Sequence, residues 1–109
     1  MKAELLTAAL LCLSTGLAGA DELVDLGNDF TMCLRLEALD YGLKSCLPPS
    51  ELIPAVYHSC KNYQDKVQEY VAKERSAAVV QTTMDQVRGA LLPELTGIIV
   101  DAHIKRGCP

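Results

Sequence analysis

Residues 33–60 read CLRLEALDYGLKSCLPPSELIPAVYHSC, and the punctuation of this stretch decides the fold. Cys33 and Cys60 bracket a corner made of Tyr41-Gly42, Ser45 and Pro48-Pro49, with Cys46 in the corner itself. A double proline cannot continue a helix, because neither ring nitrogen has a proton to donate. On both sides apolar residues recur at three- and four-residue steps: Leu23, Leu26, Phe30 and Cys33 before the corner, then Ile53, Val56, Cys60, Tyr63, Val67 and Tyr70 after it. That period is one face of a helix. The stretch therefore predicts a hairpin: a helix from about Glu22 to Asp40, a loop to Pro49, and a second helix capped by Ser50, with Pro54 tolerated near its start.

Further along, no proline or glycine interrupts residues 55–88, and Ala77, Val80, Met84, Val87 and Leu91 continue an apolar stripe. Either one helix runs through, or a break falls near Arg75-Ser76. Compactness favours the break, since a single forty-residue helix would span roughly 60 Å. Gly89 and Pro93 mark a second interruption or kink, with Pro93 opening a last helix that buries Leu95, Ile98, Ile99 and Ala102. Lys105, Arg106 and Gly107 end it with cations at the negative pole and a glycine just beyond. The expected architecture is all-α: a small antiparallel bundle of three to four helices around a Leu/Ile/Val core, stapled by two disulfides.

Toward the N-terminus, Lys2 precedes an uncharged apolar run from Leu5 to Leu17 and then Ala18-Gly19-Ala20, the layout of a secretory signal peptide. Residues 1–20 are read as that leader and 21–109 as the helical domain, which leaves 89 of the 109 residues and four of the five cysteines, Cys12 going with the leader. The length allows one small domain at most, and the leader is not part of it. The expected location is periplasmic or secreted, with no membrane span after cleavage. An acidic chain of net charge −4 without a basic stripe is a poor nucleic-acid binder.

Four cysteines allow three pairings. Cys33 and Cys60 lie 13 and 14 residues from Cys46, so a hairpin about that pivot brings them to one level; Cys46 is then left to meet Cys108 at the tail. The competing reading is a metal site completed by His58 or His103, but zinc sites present close cysteine pairs and the gaps here are long. Disulfides are the expectation for an exported chain, and no metal or cofactor is expected.

Catalysis finds little support in the pattern. His58 is two residues from Cys60 and adjacent to Ser59, and His103 is two from Asp101, spacings that point side chains apart on a helix. No Gly-Xaa-Ser-Xaa-Gly elbow, His-Glu-Xaa-Xaa-His pair or phosphate loop is present. Two features suggest a partner surface instead. Residues 21–40 hold six acidic groups against Arg35, among them Asp21, Glu22, Asp25 and Asp29, which suits a basic partner. Tyr57 is the tyrosine expected at the surface, Tyr63 and Tyr70 sharing the apolar stripe.

The Cys33-x12-Cys46-Leu47-Pro48 corner, the helix after it and the terminal Cys108 resemble the small periplasmic immunity proteins of the Rap/Tai kind. The resemblance implies a helical, disulfide-bonded protein that blocks a cell-wall amidase delivered by type VI secretion. A Cys-bearing helix, a Pro/Ser turn and a second Cys-bearing helix are likewise similar to other exported bacterial proteins. The expectation is a non-enzymatic exported protein that binds another protein, as an inhibitor or immunity factor. The alternatives are a metal-binding or enzymatic periplasmic stress protein, and a structural or assembly component that forms an oligomer.

Overall fold

The computed structural model describes residues 19–109, with side chains from Asp21 onward. The expected leader, including Cys12, lies outside the described residues except for Gly19 and Ala20. These two begin α1 (Gly19–Lys44), which is followed by α2 (Pro49–Ser59), α3 (Lys61–Ala72) and α4 (Ala77–Arg106). The chain runs up α1, down α2 and α3, and up α4, so α1 is antiparallel to the middle leg and parallel to α4. Among the described residues no helix is long and apolar enough to cross a membrane.

The core forms where the legs meet. Phe30, Leu34 and Ala38 of α1 pack with Leu52 and Val56 of α2, Val67 of α3, and Met84, Leu95 and Ile99 of α4. Leu26, Ile53, Val80, Val87, Leu91 and Ile98 flank this cluster, half-buried. A fully buried Leu or Phe gains about 1.5–3 kcal/mol over an exposed one, so this cluster is what the helices fold around. Tyr63 departs from expectation: it is exposed, with Lys66 over its ring, and it belongs to the solvent face of α3.

Helix boundaries differ from the sequence expectation in four places, each with a local cause. α1 continues through Tyr41-Gly42 to Lys44, because Gly42 is a packing residue and not a turn residue. A Cβ there would lie 2.7 Å from Ala102 Cβ and 3.2 Å from Ile99 Cα, so the missing side chain lets α4 approach. α2 starts at Pro49, whose fixed φ suits the first helical position; Pro48 occupies the cap position and Ser50 lies inside the helix. The middle leg breaks at Cys60, where φ −102° and ψ 15° leave the helical basin. The Cys60 N–H is shared between Val56 O and Tyr57 O, and Cys60 O receives the N–H groups of both Tyr63 and Gln64. Finally, α4 runs unbroken through Gly89 and Pro93. The carbonyl that Pro93 leaves without a donor is that of Gly89, and both residues are exposed, so water can serve it.

The break near Arg75-Ser76 is present. Ser76 caps α4, its hydroxyl accepting the Val79 N–H at 3.4 Å. At the far end Gly107 adopts φ 83°, and the N–H groups of Gly107 and Cys108 both return to His103 O at 2.9 Å. That left-handed turn delivers Cys108 to Cys46. Sulfur bonds join Cys46 to Cys108 (Cα–Cα 5.5 Å) and Cys33 to Cys60 (Cα–Cα 5.9 Å).

Parallel packing sets the negative poles of α1 and α4 side by side, an unfavourable arrangement that cations offset. Arg106 donates to Leu43 O at 2.7 Å, and His103 Nε2 donates to Ser45 O at 2.8 Å. Lys44 bonds Asp40 at 2.8 Å, and the Asp40 carboxylate holds its ammonium pKa above the ordinary lysine value. His103 is therefore a half-buried tie between α4 and the corner.

Candidate docking face

Each residue turns an α-helix by about 100°, so Met32, Leu36, Leu39 and Leu43 fall within roughly 60° of one another, on the side of α1 opposite Leu34. Their exposures are 54, 59, 39 and 44 %, whereas Leu34 and Ala38 are fully buried. α1 thus carries apolar residues on two faces, and the bundle covers only the inner one. The four have steps of four, three and four residues, the spacing of a heptad seam. The same seam runs backward through Asp29, Asp25 and Glu22. One outward line of α1 is therefore acidic in its first half and apolar in its second.

Asp21, Glu22, Asp25 and Asp29 are all exposed. The ion pairs among the described residues, Arg35–Glu94 and Asp40–Lys44, use none of them. The Tyr70 hydroxyl on α3 is raised above its ordinary pKa, first by burial and then by the charges of Glu22 and Glu74. Asp25 and Asp29 lead into the apolar run.

Tyr57 does not stand on this face, nor is it the freely exposed tyrosine the sequence suggested. It is half-buried against the core, its ring 6.2 Å from that of Phe30 and with Arg88 over it at 4.7 Å. Its hydroxyl is buried without a hydrogen-bond partner. Burial raises its pKa and the Arg88 charge pulls the other way.

The residues weighed for chemistry have other occupations. Ser59 Oγ pairs with Tyr41 Oη at 3.0 Å, His103 holds Ser45 O, and Cys33, Cys46, Cys60 and Cys108 are all disulfide-bonded. His58 is exposed. Among the described residues no three His, Cys, Asp or Glu side chains gather as a metal-holding group.

The apolar half of the seam was readable in the sequence as the 4-3-4 spacing of Met32, Leu36, Leu39 and Leu43. A helix that is apolar on two faces gives no sequence signal for which face the bundle takes, and only the burial of Leu34 and Ala38 marks the inner one. No protein family, curated protein or solved structure matches the chain.

Proposed function

We propose that this is a non-enzymatic exported protein, periplasmic or secreted, that binds another protein through the outer face of α1, as an inhibitor or immunity factor. The observation that carries the reading is the outward seam: Asp25 and Asp29, which no ion pair among the described residues uses, followed by Met32, Leu36, Leu39 and Leu43. Its complement is an amphipathic helix with a leucine-type stripe and lysines or arginines at one end.

A second copy fits less well. The four apolar side chains offer on the order of 400 Å² per copy, the size of a functional patch on a monomer. Two copies would bury roughly 800 Å², short of the roughly 1,200 Å² where stable interfaces begin. Parallel pairing would set Asp25 and Asp29 against themselves. Antiparallel pairing about the apolar run would leave them beyond the partner's helix end. A basic partner uses the whole seam, with rigid, disulfide-stapled helices keeping the ordering cost low.

The test is retention of polypeptides from the exported fraction of the source cell on the immobilised chain. A partner held by the wild type and by Asp85→Lys on α4, lost with Leu36→Glu, and released by Asp25→Lys/Asp29→Lys supports the reading. Equal retention by Leu36→Glu rejects it.

A further inference from the structure

On the side of the bundle away from α1, a cleft of about 660 Å³ opens between the α2–α3 elbow and α4. α1 contributes nothing to its lining. Ile53 and Pro54 of α2 and Leu92 of α4 supply apolar walls, and Arg88 and Lys61 supply positive charge. Ligand sites in proteins have this size and this make-up, a mostly apolar surface with a few fixed polar groups.

Arg88 is held in place before any ligand arrives. Its guanidinium stacks 4.7 Å from the Tyr57 ring centroid, and Nη2 donates to Gln64 Oε1 at 3.2 Å. Among the described residues no carboxylate pairs with Arg88 or with Lys61. A planar guanidinium stacked on an aromatic ring, with donors left over, suits two-point recognition of a carboxylate. Asp65 and His58 also line the cleft, so, with the imidazole counted as neutral, two cations face one fixed negative charge. That balance leaves room for a single additional negative charge and disfavours a dianion. The elbow at Cys60 creates the site, since it places Lys61 at the head of a new helix facing α4.

We infer that this cleft binds a small monoanionic amphiphile, with its carboxylate on Arg88 and Lys61 and its apolar part against Ile53, Pro54 and Leu92. The site is separate from the α1 face and does not depend on it.

The experiment titrates the full, oxidised chain with octanoate, 1-octanol, octylamine and suberate, following calorimetric heats and amide NMR shifts. Octanoate is expected to saturate one site and to shift residues 53–64 and 88–92, with at least tenfold weaker binding of the neutral, cationic and dianionic eight-carbon probes. Arg88→Met is expected to weaken octanoate at least tenfold, the scale of a lost charged hydrogen bond. Lys61→Met should weaken it severalfold, while Leu36→Glu leaves it unchanged. Should Arg88→Met fail to fold, Lys61→Met on the exposed rim carries the test. Octanol binding as tightly as octanoate, suberate binding more tightly, unaltered affinity in the folded variants, or no saturation by about 10 mM would overturn the inference.

Discussion

Replacing Gly42 by alanine tests the packing that holds α1 against α4. The new Cβ would stand 2.7 Å from Ala102 Cβ and 3.2–3.3 Å from the Cα and carbonyl oxygen of Ile99. Ala102 could be displaced only with its backbone, and the Ile99 atoms are backbone already, so the two helices must separate. Overpacking of this kind costs about 1–3 kcal/mol. Against it, alanine is better than glycine inside a helix by about 1 kcal/mol. The net expectation is a loss of about 1 kcal/mol, or a melting temperature lower by about 4–8 °C for a domain of this size. Gly97→Ala supplies the reference, because a Cβ there meets nothing within 4 Å and the same propensity gain appears unopposed. Urea unfolding of both variants isolates the packing cost as their difference. If Gly42→Ala were as stabilising as Gly97→Ala, the close approach of α1 and α4 would not exist.

The disulfides are expected to matter according to the loops they close. Separations of 62 residues for Cys46–Cys108 and 27 for Cys33–Cys60 correspond to about 4.3 and 3.6 kcal/mol of unfolded-chain entropy. Replacing either pair by serine should lower the urea midpoint, and Cys33→Ser/Cys60→Ser should lose more than its loop length implies, because Cys60 is fully buried. Tyr57→Phe removes a buried hydroxyl that lacks a partner, so it is expected to raise stability by about 1 kcal/mol, read from the same curves; a loss of that size would mean the hydroxyl is bonded. The raised Tyr57 pKa makes its contribution complete below the unfolded tyrosine value near 10 and lost as pH rises through the folded value. Alkaline melting should therefore show a fall above about pH 10 that is smaller in Tyr57→Phe, the raised Tyr70 and Lys44 groups contributing the remainder. Leu36→Glu on the outer face should change stability by no more than about 0.5 kcal/mol, whereas Leu34→Ala on the inner face should cost about 2–5, which thermal unfolding distinguishes.

Much of the bundle is written in residues 33–60. The Pro48-Pro49 corner and the two stripes around it give the hairpin, and the near-equal distances of Cys33 and Cys60 from Cys46 follow from the same geometry. Ser76 and Gly107 act as helix punctuation because their roles are local: a hydroxyl that caps, a backbone that turns left-handed. Where the role is tertiary, the sequence misleads. Gly42 and the Gly89–Pro93 pair look like breakers, yet one is a contact point for α4 and the other lies in a water-facing turn. The Cys60 elbow has no proline or glycine to announce it. Tyr57 and Tyr63 exchange their expected places because the elbow rotates α3 relative to α2, which no single helical period across residues 53–70 can represent.

The candidate docking face illustrates the same boundary. Its acidic half is visible as a charge count in residues 21–40, but its apolar half becomes a surface only once Leu34 and Ala38 are known to face inward. The most direct measurement is photo-crosslinking of the oxidised chain in the exported fraction of its source cell, with the reactive amino acid at position 36 or at position 85. The expected product is an adduct to a different polypeptide from position 36 and none from position 85; self-adducts alone, or equal adducts from both positions, would contradict a partner on the outer face of α1.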